Sequence, residues 1–225
     1  MGEAVIARKS SGGGSNSDAY AAINVIYPSG STCTCSNGSK TLSVKETNSS
    51  KTFIIPESGN WTVTTTNGAN SLSKTFSPSK GQGIIMHDLL IGNSVVSGFT
   101  SQDVNVTDYN NYIRVSYGGD AWIGTGYYCI KLDLTQYKTL YIEGCYDIYN
   151  QKSTNNAGVS VDKEIKSDYA TSVVYFSSST KAIYSLDVTN YGKDTYICIF
   201  GQANDTATEG WFSTRADVYN MWLET

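Results

Sequence analysis

Proline is scarce in this chain, at 3 of 225 residues, and histidine occurs once, at His87. One imidazole cannot build the His-rich ligand sets of metal hydrolases. Nor is there a G-x-S-x-G elbow of the kind that seats a triad serine. Asp88 follows His87 directly and does not orient the ring as a spatially separate carboxylate does. We therefore read His87 as part of a connector, within IIMHDLL. No cofactor-binding motif is found, and no cofactor is expected.

Charge is sparse too. Only 16% of residues are charged, 16 Lys and Arg against 20 Asp and Glu, for a net −4. Without a dense basic stripe to neutralise phosphates, nucleic acid is not an expected partner. No run of about 20 apolar residues exists, so membrane insertion is not expected. The N-terminus MGEAVIARKSSGGGSN lacks the apolar centre of a secretory signal, so nothing in it directs export, and a cell-surface or secreted place is expected only if a signal has been removed. The 5 Cys residues are odd in number and widely spaced. They fit a reducing compartment better than a disulfide framework. Cys33 and Cys35, two apart in TCTCS, share a strand face and read as small apolar residues rather than zinc ligands. A Cys129–Cys145 pair across neighbouring strands stays open.

What the chain does have is 17 Tyr and 21 Gly, with many Thr, Ser, Val and Ile. β-Branched and aromatic residues suit a pleated, half-buried surface, and the strong helix formers are few. This composition predicts an all-β protein. With about 100 to 150 residues per domain, the length divides into a flexible Gly/Ser lead over 1–20, a small sandwich over 21–91 and a larger jelly-roll sandwich over 92–225.

Short strands punctuated by turns fill the first unit. TCTCS and KTLSV flank Asn37-Gly38, and NWTVTTT and ANSLSKTF flank Asn67-Gly68, both dipeptides suited to tight hairpins. Residues 81–91 supply either its last strand or the connector onward. The second unit has longer strand patterns, among them TLYIEGCYDIY at 139–149 and TYICIFGQA at 195–203. Residues 150–169 read as an extended loop or a weak strand.

From YPSGSTCTCSNGSKTL through FIIPESGNWTVTTTNGANSLSKTF, residues 20 to 85 resemble a module of bacteriophage and prophage structural proteins from gut Firmicutes. That module is similar to immunoglobulin-like and carboxypeptidase-regulatory sandwiches. The resemblance implies scaffold roles: Tyr27 and Pro28 end a strand, Gly38 turns a hairpin, Gly59 turns before Trp61, and Trp61 with Val63 enters the core. The second unit more loosely resembles galactose-binding-like and carbohydrate-binding jelly rolls. Together they imply a virion component from tail, baseplate or fibre, with other virion proteins as partners, a bacterial surface glycan as ligand, and a homo-oligomeric state.

Aromatics in turn-rich surroundings mark the candidate glycan site, in SYGGDAWIGTGYY at 116–128 and EGWFSTR at 209–215. Sugar sites pair an apolar platform with a few polar groups, which nominates Asp120, Trp122, Trp211 and Arg215. The alternative is that both tryptophans anchor a core or an interface. A carbohydrate-active depolymerase would need two carboxylates to converge from Asp120, Asp133, Glu143, Asp147 and Asp162, whose spacing marks no pair. DVNVTD at 103–108 and DYNN at 108–111 offer oxygens that calcium prefers, but neither fits an EF-hand loop, so no metal site is assigned. A non-catalytic adhesion or assembly role is the expectation.

Overall fold

A computed structural model describes residues 19–44, 49–120, 124–149, 156–165, 170, 172–203 and 211–225. Every regular element among them is a strand. The first half supplies β1 (Ala21–Ile26), β2 (Thr32–Ser36), β3 (Thr41–Val44), β4 (Ser50–Ile55), β5 (Trp61–Asn67), β6 (Asn70–Phe76) and β7 (Gly83–Ile91). The second supplies β8 (Ser94–Val95), β9 (Thr100–Gln102), β10 (Asn105–Asp108), β11 (Ile113–Asp120), β12 (Gly124–Leu132), β13 (Thr139–Tyr149) and β14 (Asn156–Asp162). β15 (Ser172–Tyr175), β16 (Ala182–Asp187), β17 (Thr195–Ala203) and β18 (Trp211–Glu224) complete it.

These strands form two β-sandwiches that share their middle layer. A nine-stranded central sheet runs β10-β11-β18-β7-β1-β4, with β13 and β16 on the other side of β18 and β8 paired to β7. A four-stranded sheet, β3-β2-β5-β6, packs on one face, and a five-stranded sheet, β15-β14-β17-β12-β9, packs on the other. β7 pairs in parallel with β1 and antiparallel with β18, so the strand at the expected 91/92 boundary belongs to both halves. His87 therefore lies in a central strand and not in a connector.

Period-2 alternation explains each layer. In β5, Trp61, Val63 and Thr65 are fully buried. The intervening Thr62 and Thr64 make hydroxyl bonds of 2.8 Å to Thr75 and Ser73 on β6. Such cross-strand hydroxyl pairs each contribute a few tenths of a kcal/mol to about 1. The Trp61 indole donates to the Glu57 carbonyl at 3.2 Å, so a large ring is buried with its one polar atom satisfied. Cys33 and Cys35 enter the same core, as their spacing predicts. Burial pushes their thiols up to about 12 and about 11, so they pack as small neutral residues.

Hairpin chemistry follows the sequence. Gly38 sits at φ +89° and Gly68 at +57°, conformations open to glycine at little cost. The Asn37 side-chain oxygen accepts from the Lys40 backbone N–H at 2.8 Å and locks the first turn.

Two expectations are corrected. Residues 156–162, expected within a loop or weak strand, form β14, a buried inner strand between β15 and β17. A Cβ on its Gly158 would lie 2.1 Å from the Val174 carbonyl oxygen, so close strand approach requires glycine there. Against the expectation of reduced thiols, Cys129 is bonded to Cys198, and the pairing left open, with Cys145, is not the one formed. The two are directly opposed on β12 and β17, with Cα atoms 4.1 Å apart, while Cys145 lies on β13 in the central sheet.

Candidate functional site

The two outer sheets each cover only part of the central sheet. On the face where the four-stranded sheet packs, Trp222 and Tyr141 are capped by Lys74, whose Nζ lies 5.0 and 4.7 Å from their ring centres. Beyond them the outward residues of β11, β18 and β13 emerge from beneath that sheet. Register sets the arrangement: Asp217 stands between Arg114 and Cys145, and Arg215 stands between Ser116 and Asp147. Their strand neighbours Val115, Ala216 and Val218 face the opposite core.

Arg114 grips Asp217 with two parallel bonds of 2.6 Å, Nε to Oδ1 and Nη2 to Oδ2. Asp217 is buried and Arg114 nearly so, which makes this a fork-on-fork pair held in low dielectric. The hydrogen bond to Asp217 raises the Arg114 pKa well above its ordinary value, so its charge is permanent. Asp147, half-exposed, sits 3.4 Å from Arg114 Nη2 and 3.0 Å from Arg215 Nη1. Glu143 pairs with Lys181 at 2.8 Å and also accepts from the Asn220 amide.

A row of three tyrosines borders this charged strip. Tyr109 and Tyr112 stack at 4.6 Å and 12°, and Tyr112 meets Tyr219 at 5.1 Å and 39°. The Arg114 guanidinium lies 5.4 Å from the Tyr109 ring centre and 5.7 Å from that of Tyr112. Lys181 Nζ lies 5.1 Å from Tyr219. Cations at such distances are attracted to ring faces. The β10–β11 turn that carries Tyr109 and Tyr112 closes with a Tyr109 N–H bond to the Tyr112 carbonyl. Asn70 braces it by donating to the Asn110 carbonyl at 2.8 Å. Burial holds the Tyr219 phenol up at about 12, and burial with the nearby Asp217 charge raises Tyr112, so both stay protonated donors at neutral pH.

Arg215 is thus brought onto this face, paired with Asp147. Asp120 and Trp211 oppose one another in the backbone register at the far end of the β11–β18 ladder. Their side chains, and all of Trp122, lie outside the described residues. Of the depolymerase carboxylates whose side chains are described, Asp133 accepts from its own Thr135 in a turn, Asp162 ends β14, and Asp147 and Glu143 each pair with cations. DYNN is the tight turn just described, and among the described residues no three His, Cys, Asp or Glu side chains gather as metal ligands. Sequence reasoning missed Tyr109, Tyr112, Tyr219, Arg114 and Asp217. The available signal was RADVY, where charged and aromatic residues alternate with small apolar ones as on a half-buried strand.

No protein-family model matches the chain, and no curated protein matches it. Among solved structures, a family 29 carbohydrate-binding module from Piromyces equi is similar at 14% identity and TM-score 0.42, over 63% of this chain and 91% of that one. The secreted serine protease VesC from Vibrio cholerae is similar at 11% identity and TM-score 0.38, over 91% of this chain and 44% of that one. A putative carbohydrate-binding protein from Bacteroides uniformis is similar at 11% identity and TM-score 0.24, over 89% and 99% respectively.

Proposed function

We propose that this chain is a non-catalytic binding module that takes bacterial surface glycan on the open half of its central sheet. In the fuller reading it does so as part of a phage or prophage tail, baseplate or fibre, assembled with other virion proteins and as an oligomer. The observation that carries the binding reading is the Tyr109–Tyr112–Tyr219 row beside Arg114, Asp217, Asp147 and Arg215. Tyrosine rings offer flat apolar faces to pyranose C–H groups, and the fixed guanidinium and carboxylate groups offer donors and acceptors to sugar hydroxyls. Because the strip is built on strands and pre-paired in its salt bridges, little ordering is needed on binding. The virion setting rests on the resemblance of residues 20 to 85 to phage structural modules.

The test is an array of bacterial cell-wall and capsular glycans probed with the purified chain, its solution mass recorded alongside. Saturable binding weakened by Tyr109→Ala and Arg215→Ala supports the open face. Loss only in Trp122→Ala or Trp211→Ala rejects the tyrosine face in favour of those tryptophans. No binding by a defined oligomer rejects glycan recognition in favour of a structural subunit.

A further inference from the structure

The offset that opens the tyrosine face leaves a second recess on the opposite side of the central sheet. There the five-stranded sheet stops short of β1 and β4, leaving a groove of about 930 Å³ between them. Its volume lies within the range of small-molecule sites. One wall is the stacked pair Phe99 and Tyr128, with ring centres 4.7 Å apart and planes 25° apart. Ile26, Ile130 and Leu132 extend the apolar lining, and Ser29, Ser50 and Ser97 line it with hydroxyls. None of the described lining residues carries a formal charge.

His87, which the tyrosine face does not use, also lines this groove. Its tautomer follows from its neighbours. The Gln136 amide donates to the Tyr137 hydroxyl at 3.0 Å. With one acceptor position filled, the Tyr137 hydroxyl has its proton free for His87 Nδ1, 3.2 Å away, and we assign it there. With Nδ1 accepting, the ring proton resides on Nε2. Burial lowers the His87 pKa to about 4, so the ring stays neutral and presents one N–H donor.

We infer that this groove is a second binding site, for an uncharged hydroxylated ring such as a neutral pyranose, with the uncovered side of the Phe99–Tyr128 stack against the sugar and His87 Nε2–H donating to a sugar oxygen. A charged sugar entering here would lose hydration without meeting a counter-charge among the described lining residues, which selects against uronates and amino sugars. The site lies across the central sheet from the tyrosine row and stands or falls independently of it.

The experiment is an amide NMR titration of the ¹⁵N-labelled full chain with cellobiose, maltose and diacetylchitobiose as uncharged probes and digalacturonate as the charged one. Saturable shifts at Phe99, Tyr128 and His87 with an uncharged probe are expected. Phe99→Ala should weaken them about tenfold, and Tyr109→Ala should leave them unchanged. Ser29→Trp fills the groove from an exposed turn and should abolish them, so poor folding of Phe99→Ala would not leave the matter undecided. A long-range ¹H–¹⁵N spectrum should give the Nε2–H pattern for His87. Shifts confined to the tyrosine face, equal response to digalacturonate, absence of any response, or an Nδ1–H pattern would each overturn the inference. Glycan binding lost in Tyr109→Ala but not in Ser29→Trp would sink the groove and leave the proposed function standing.

Discussion

Adjacent residues on β7 face opposite layers and give the fold two opposing pH dependences. Asp88 is fully buried toward the core of the four-stranded sheet, close to Thr65 and Cys33. Burial pushes its pKa from 3.8 to about 7, and the nearby Thr65 hydroxyl offsets only part of that rise. A carboxyl with a raised folded pKa stabilises the fold most below its unfolded value, and that stability is lost as pH rises through the folded value. His87 behaves in reverse: burial lowers its pKa from 6.5 to about 4, so its contribution is full above 6.5 and is lost as pH falls toward 4. Each slope is about 1.4 kcal/mol per pH unit.

Between pH 5 and 6.5 the two slopes have equal size and opposite sign, so this pair leaves the stability of the native protein nearly level. Glu57, Asp133 and Asp187, held below the ordinary carboxylate range by hydrogen bonds to Lys40, Thr135 and Thr189, titrate mainly beneath that window. Asp88→Asn removes one arm. Its stability should rise with pH by about 2 kcal/mol across the window, and at pH 8 it should exceed the native protein by roughly 2 to 4 kcal/mol. His87→Gln removes the other arm, and its stability should fall by a similar amount over the same range. Urea unfolding followed by tryptophan fluorescence at half-unit pH steps measures all three. Parallel profiles for the three proteins, or an Asp88→Asn protein no more stable at pH 8, would refute the reasoning.

Other outcomes follow from burial and register. Asp217→Ala strips the Arg114 guanidinium of its two 2.6 Å hydrogen bonds, leaving it the 3.4 Å contact with Asp147, and should cost about 3 kcal/mol in chemical denaturation, whereas Lys131→Met, which removes the exposed Lys131–Asp194 pair, should cost far less. Without reductant, a thiol reagent should find no reactive cysteine in the folded chain; once unfolded it should find Cys33, Cys35 and Cys145, and after reduction all 5. Gly158→Ala must push β15 away from β14 and should lower stability by about 2 kcal/mol. Gly192→Ala, whose new methyl would meet nothing nearer than 3.9 Å, should change stability by less than about 0.5 kcal/mol.

Strand positions were legible because local chemistry set them. Thr32–Ser36, Thr139–Tyr149 and Thr195–Ala203 begin and end where alternation and turn residues place them. β14 was not legible: NAGVSVD holds only three clearly apolar residues, and its glycine is there for a backbone approach visible only once β15 is docked. The disulfide partner was hidden for a related reason. Which cysteines face each other depends on the pairing of β12 with β17, strands far apart in sequence, and not on spacing. The tyrosine row was hidden because its members come from one turn and a distant strand, joined only by the β11–β18 register.

The sharing of the central sheet did leave a trace in the sequence, in the form of run length. A strand with one wet face alternates, as β5 does, but a strand packed on both faces can be apolar almost continuously. β7 reads IIMHDLLI and β18 ends VYNMWL, and these two runs pair where both outer sheets overlap the middle one. Burial on both faces also explains why the polar residues inside them are unusual. A strand with solvent on one side could have turned Asp88 outward; here Asp88 must enter the core of the four-stranded sheet, while His87 opens on the groove where the five-stranded sheet ends. Where an outer sheet ends, the same alternation exposes one face while its neighbour stays covered, first as the tyrosine row and then as the groove. The two recesses and the two buried titrating groups thus share a single cause, the offset of two sheets packed on a third.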